Sequence, residues 1–270
     1  KIDSKRWRNN WDWGLFAGSA IPALVFGVAF GNLFLGVPFN IDNLLRVSYQ
    51  GSFFGLLNPF GLLAGLISIT MLIAHAGMWL QLRTADAVAE RSAQYGRYAL
   101  VVFIVLFAAA GFWVANINGY QIVSMPDTQS HADPLAKVVS TAQGAWLNNY
   151  SERPWTMTFP ILGFVMALSA LLFSKLNKPA LGLISTSIML IGVIMTAGVS
   201  LFPFIMPSVN NPDISLTIWD GVSSHRTLNI MFVAVVIFIP LILAYTTWCY
   251  VKMWRRVTVD EIENNTHGSY

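Results

Sequence analysis

The chain has 270 residues, of which 55% are hydrophobic and 11% charged, with a formal net charge of +3. That balance is too apolar for an ordinary soluble domain, in which about a quarter of residues are charged, and so small a positive charge does not point to a nucleic-acid partner. The single cysteine, Cys249, excludes an intrachain disulfide and any cysteine-held cluster.

The charges are segregated. Six runs, 14–35, 60–80, 98–117, 155–173, 180–206 and 228–251, contain no Lys, Arg, Asp or Glu. Each has 19 to 27 residues, and about 20 apolar residues rising about 1.5 Å each cross the hydrocarbon core of a bilayer. The expected fold is therefore all-α, a polytopic transmembrane bundle with six helices. A barrel would show short segments of alternating polarity, which these runs lack. Lysines and arginines set the orientation. Lys1, Lys5, Arg6, Arg8, Arg83, Arg91, Arg97, Lys175, Lys178, Lys252, Arg255 and Arg256 fall on one side, against Arg46, Lys137, Arg153 and Arg226 on the other. Twelve against four places both ends of the chain in the cytoplasm. Each basic cluster reads as a topogenic, lipid-facing feature before it reads as a recognition site.

In chain order, Trp7, Trp11 and Trp13 open the first helix and begin an aromatic belt at the membrane interfaces. Pro22, Gly27, Gly31 and Asn32 give that helix a face suited to packing on protein. It leaves the membrane through Gly36-Val37-Pro38-Phe39, and the chain returns at Leu57-Asn58-Pro59. The second helix carries His75, the one intramembrane histidine, and a short polar link leads into the third. The longest outer segment, 118–154, holds Leu135, Val138, Val139, Ala142 and Trp146 at helical spacing. That spacing predicts an amphipathic surface helix, most simply a lid over the bundle. Helices four and five are joined by a tight basic turn, 174–179, and the fifth leaves through Leu201-Phe202-Pro203-Phe204. A polar loop with Trp219-Asp220-Gly221 follows, and Pro240 is expected to kink the last helix. The tail, 257–270, is polar and solvated.

The two outer hairpins share landmarks in the same order. Gly51 and Gly221 stand 170 residues apart, and Asn58 and Asn229 stand 171 apart. This suggests two related halves. Residues 1–83 are then the second part of an N-terminal four-helix repeat and 84–256 a C-terminal four-helix repeat. On that reading two helices precede Lys1, and the whole subunit has eight in a 4+4 arrangement. The absence of an initiator methionine and the basic start of the chain agree with an N-terminally incomplete sequence.

The chemistry visible is sparse. An ionisable group within a membrane is a functional candidate by default, which makes His75 the candidate cofactor ligand. A b-type haem takes facing axial ligands, and a lone histidine beside Gly77 reads first as hydrogen-bonded packing. His131 and His225 fall in outer segments and His267 in the tail. No metal-ligand spacing, phosphate loop or nucleophile motif is present, and no catalytic residue is expected. Ser223 or Ser224 is expected to cap the last helix, with Asp220 near its N-terminus and Arg226 as the partner of Asp220. A scaffold subunit of a respiratory complex, a parallel-repeat membrane transporter subunit and a stand-alone cytochrome are the competing readings. The lack of paired ligands disfavours the cytochrome, and hairpins that run in the same direction disfavour an inverted-repeat transporter.

A set of longer motifs decides among them. Arg6-Trp7-Arg8-Asn9-Asn10-Trp11-Asp12, Gly27-Val28-Ala29-Phe30-Gly31-Asn32-Leu33, Leu57-Asn58-Pro59-Phe60-Gly61, Thr196-Ala197-Gly198, Leu201-Phe202-Pro203-Phe204-Ile205-Met206-Pro207-Ser208, Ser215-Leu216-Thr217-Ile218-Trp219-Asp220 and the stretch 245–253 together resemble subunit II of the cytochrome bd-type quinol oxidases, over nearly the whole chain. The resemblance implies a subunit of a bacterial inner-membrane complex that oxidises quinol and reduces dioxygen to water. It implies that haems b558, b595 and d and the quinol-oxidising loop belong to the larger subunit I. It further implies that this chain supports the assembly without binding haem, that the partners are subunit I, quinol or quinone and the lipid bilayer, with room for a small single-helix subunit, and that nucleic acid is not a partner. At His225-Arg226 the chain departs from the family pattern, which has glutamine and an apolar residue after the paired serines, and at His75 the family has no need of histidine.

Overall fold

The computed structural model describes residues 4–125, 133–252, 254 and 258. Helix α1 (Lys5–Leu35) begins where the Ser4 hydroxyl accepts from the Trp7 amide, and α2 (Pro59–Arg83) begins where the Asn58 side chain accepts from the Gly61 amide. These side chains satisfy amide donors that a helix start leaves unpaired. Helix α3 (Asp86–Asn116) follows α2 almost at once, α5 (Thr158–Lys175) and α6 (Pro179–Leu201) are joined by a three-residue turn, and α7 (His225–Lys252) closes the order. Among the described residues, six helices are long and apolar enough to cross a membrane. They are the six expected, and several extend into their charged flanks. The helices continue through Pro22 and Pro240.

The spans alternate in direction, which gives the bundle two faces. On the basic face lie the end of α2 with Arg83, the start of α3 with Arg91, the α5–α6 turn with Lys175 and Lys178, and the end of α7 with Lys252. The opposite cap face carries three antiparallel two-stranded hairpins. They are β1 (Phe39–Ile41) with β2 (Val47–Tyr49), β3 (Asn118–Ser124) with β4 (Val138–Gln143), and β5 (Phe204–Met206) with β6 (Leu216–Thr217). A five-residue helix, α4 (Asn148–Glu152), completes the cap.

The cap corrects one expectation. Residues 138–143 form a strand, with Val139 opposite Ile122 and Thr141 opposite Tyr120, and only Ala145–Leu147 coils, as a single 3-10 turn. Val138, Val139 and Thr141 are β-branched and suit a pleated surface. Strand pairing with β3 supplies the backbone hydrogen bonds that an isolated surface helix would have made for itself, and Gly144 ends the strand with φ at 70°. Within the outer segment, residues 126–132, including His131, lie outside the described residues. So do the tail apart from Thr258, with His267, and the start 1–3.

Packing inside the bundle depends on small residues. A Cβ on Gly27 would stand 2.6 Å from the Gly65 Cα, and one on Gly31 would stand 2.8 Å from the Gly61 Cα, so the α1 and α2 backbones touch. The same device joins α2 to α3 at Gly77 and Gly96, and α5 to α6 at Gly163 and Gly192. In lipid, where tails are as apolar as leucine, such close approach holds helices together by van der Waals contact. Between α2, α3, α5 and α6 sits the main core, with Met78, Leu100, Phe103, Ala167, Ala170 and Met189. A second core lies under the cap, where Phe34, Phe60, Tyr120, Trp146 and Phe204 meet edge to face or tilted.

Candidate functional site

Three polar features and one apolar cleft stand out against the hydrocarbon-like interior. The first is the latch of the cap. Lys137, just before β4, directs its ammonium 3.1 Å from the Asp220 carboxylate, and the two side chains are 1% and 5% exposed. The ammonium also donates to the Pro134 carbonyl at 2.7 Å, while Asp220 accepts from the amide and hydroxyl of Thr217 at 2.8 and 2.7 Å. A buried pair persists only when its remaining donors and acceptors are met, as here. Asp213 adds a second tie by accepting from the Val139 amide at 2.7 Å. The expected pairing of Asp220 with Arg226 is thereby corrected. The acid turns back into its own loop to hold Thr217 and reaches Lys137 across the cap, while Ser224 accepts from the Thr227 amide at the start of α7.

Beneath the latch, the Trp146 indole donates to the Phe34 carbonyl at the end of α1, and the Tyr120 hydroxyl donates to the Ser208 carbonyl. Burial raises the Tyr120 phenol above its ordinary range. The exits of α1 and α6 are bridged directly, with the Val37 amide on the Pro207 carbonyl and the Val209 amide on the Val37 carbonyl. Tyr150 hydrogen-bonds the Thr196 carbonyl and the Ser200 hydroxyl, and its phenol is also raised, chiefly by burial, with the Ser200 hydrogen bond opposing. At the rim, Asp42 is held below the usual carboxylate range by the backbone amide and then the guanidinium of Arg46.

The second feature is His75, on the half of α2 nearer the basic face. Its Nδ1 lies 2.9 Å from the Thr186 hydroxyl of α6. The third is a small network at the basic face, where Gln81 and Ser174 exchange hydrogen bonds and Arg97 donates to the Ser174 hydroxyl at 3.4 Å. The cleft, about 640 Å³, runs between α1 and α2 on one side and α3, α5 and α6 on the other, and Phe30, Ala64, Phe107, Phe164 and Ala197 are among its walls. No histidine lines it.

Among the described residues the histidines do not form a facing axial pair for a haem. Facing axial ligands are needed, yet His75 lies toward the basic face while His225 opens α7 on the cap face. Among the described residues no three His, Cys, Asp or Glu side chains converge. The polar contacts that are present tie helices and loops to one another.

Residues 1–253 match the family model described as cytochrome bd terminal oxidase subunit II. The chain belongs to that family. It is 47% identical over 271 residues to the cytochrome bd-I ubiquinol oxidase subunit 2 of Escherichia coli (strain K12), covering all of this chain and 72% of the relative. Against the probable cytochrome oxidase subunit 2 of Haemophilus influenzae identity is 45%, over all of this chain and 71% of the relative. Against the cytochrome bd ubiquinol oxidase subunit 2 of Bacillus subtilis it is 25%, over 97% of this chain and 68% of the relative. The chain is thus a subunit of a bd-type terminal oxidase, and the transporter alternative finds no support in these relatives.

Sequence reasoning missed Lys137 in the latch. The signal lay in the charge count, since Lys137 is the only lysine assigned to the outer side and sits in an otherwise apolar stretch.

Proposed function

We propose that this chain is the non-haem subunit II of a bd-type oxidase in which quinol is oxidised and dioxygen reduced to water during aerobic electron transport. The family match across residues 1–253 carries the reading. The lack of facing ligands among the described residues supports the non-haem part, and by that reading haems b558, b595 and d reside in subunit I, with His75 contributing packing. The chain would sit in a bacterial inner membrane with its basic face to the cytoplasm, next to subunit I and with room for a small single-helix subunit. The 4+4 repeat, with halves divided at residues 83 and 84, belongs to the same proposal. In its favour, α1 and α6 each leave the bundle into a short hairpin, β1–β2 and β5–β6, and the two exits lie side by side. Weighing against a simple superposition, Asn58 caps α2 whereas Asn229 lies inside α7.

Affinity purification of the tagged chain from its native membranes tests the assignment. The expected result is co-purification of one larger haem-bearing subunit with quinol oxidase activity, and a haem complement that His75→Ala leaves intact. Purification of the chain without a haem protein, or selective loss of one haem band in an assembled His75→Ala complex, would overturn it.

A further inference from the structure

The network at the basic face holds a cation that has no anion. Arg97 is the last charged residue of α3 before the uncharged run 98–117, and Ser174 and Lys175 directly follow the uncharged run 155–173 of α5. All three therefore stand at the depth where hydrocarbon gives way to lipid headgroups. Ser174 is buried, gives its one hydroxyl proton to Oε1 of Gln81 at 3.0 Å, and accepts from the Arg97 guanidinium at 3.4 Å. Gln81 closes the loop by donating to the Ser174 carbonyl at 3.3 Å. The half-buried arginine is thus steadied by one edge, and most of its N–H donors have no partner among the described residues.

Lys175 belongs to the same place. Arg97 meets Ser174, and ten residues on along α3, Phe107 meets Phe164, ten residues back along α5, with 5.0 Å between ring centroids. In that antiparallel register Lys175 falls level with Gly96, one residue from Arg97. Phe164 also marks the flank of α5 that faces α3, and Lys175, eleven residues or about three turns further on, returns to that flank. The groove between the two helices therefore carries an arginine and a lysine at its basic end. Among the described residues no carboxylate pairs with either, and Glu90, the nearest acid along α3, is exposed and seven residues further out. Toward mid-membrane the groove is apolar. Val101 lies one turn along α3 from Arg97, while Leu172 and Leu168 lie one and two turns back along α5 from Lys175, and all three are exposed and belong to no buried cluster.

We propose that the α3–α5 groove binds one anionic phospholipid, with its phosphate bridged by Arg97 and Lys175 and its acyl chains laid along Val101, Leu168 and Leu172. The guanidinium fork matches two phosphate oxygens, and the lysine adds a second positive charge on a flexible stem. A free phosphate would satisfy the cations and leave the apolar walls bare. A phospholipid satisfies both, because its charge and its chains are joined at the depth where the groove changes from basic to apolar. The inference needs only the membrane-spanning bundle, so it stands or fails apart from the proposed function.

The chain purified with its partners from native membranes, in nanodiscs of equal parts phosphatidylglycerol and phosphatidylcholine, tests this when one or the other lipid carries a photoactivatable diazirine in an acyl chain. Peptide mapping after illumination compares the two sets of adducts. The expected result is an excess of phosphatidylglycerol adducts on the peptides holding Val101 and Leu168, and no excess on the α7 peptide holding Val236. Arg97→Gln and Lys175→Gln should each lower the excess about fivefold. Leu168→Trp, which fills the groove and leaves every charge in place, should lower it as well. Arg91→Gln, about a third of a turn round α3 from Arg97, should leave it unchanged. The absence of any excess in the parent would show the groove empty or covered by another subunit, and would overturn the proposal. Equal losses in Arg91→Gln and Arg97→Gln would reduce the site to a diffuse positive field and overturn it too. Displacement of the lipid by millimolar inorganic phosphate would mark a free-anion site and exclude the phospholipid.

Discussion

Lys137 and Asp220 have given up nearly all contact with water, so neither charge can be deleted alone without stranding the other. Removing one partner of such a pair costs about 3–5 kcal/mol, whereas replacing both by apolar groups of similar size is often neutral. Lys137→Met should therefore lower the unfolding midpoint of the purified complex sharply, and Lys137→Met with Asp220→Asn, whose amide oxygen still accepts from Thr217, should restore much of it. Equal loss in the single and double variants would mean that the pair contributes nothing beyond its shape. Tyr120 supports the same cap with an uncharged hydrogen bond to the Ser208 carbonyl, and Tyr120→Phe should cost about 0.5–1.5 kcal/mol. Its phenol is raised by burial, so the folded state keeps this proton more tightly than the unfolded chain does. The resulting stability is complete below the unfolded value of about 10 and is lost as pH rises toward the folded value. Melting curves taken across that alkaline range should fall less steeply in Tyr120→Phe than in the parent.

Among the elements, α1 and α2 depend on their glycine seam. Any side chain at Gly27 would run into the α2 backbone and the Ser68 side chain, and overpacking of this kind costs about 1–3 kcal/mol or more. Gly27→Val should reduce the yield of assembled complex, while Gly18→Ala, on the same helix with no atom within 4 Å of the added carbon, should not. Quantitative blotting of the membrane fraction distinguishes the two outcomes, and equal yields would remove the seam as a determinant of assembly. The spans themselves were legible because crossing hydrocarbon is a local demand, met by about 20 uncharged residues in a row. Strand β4 was not. Leu135, Val138, Val139, Ala142 and Trp146 suit a helical stripe as well as they suit an edge of the cap, and the deciding factor was pairing with β3, a distant partner that no local spacing reveals. The same holds for Asp220, whose choice of Lys137 over the nearby Arg226 is made by the folding of two separate loops against each other.

At the scale of the whole molecule, the arrangement has a polarity that can be measured. Every hairpin strand lies on one face, together with the latch, while Arg83, Arg91, Arg97, Lys175, Lys178 and Lys252 lie on the other. Cytoplasmic loops collect lysine and arginine because those charges resist translocation, so the basic face should be cytoplasmic and the cap should lie outside. The six spans then return the chain to the side on which α1 begins. Ser52, beside the first hairpin, and Ala87, in the first turn of α3, are both exposed and belong to opposite faces. In a Cys249→Ser background, Ser52→Cys should react with a membrane-impermeant maleimide in intact spheroplasts, and Ala87→Cys should react only after the membrane is opened. The reverse pattern would invert the subunit, and labelling of both in sealed spheroplasts would mean that α2, the span between them, does not cross.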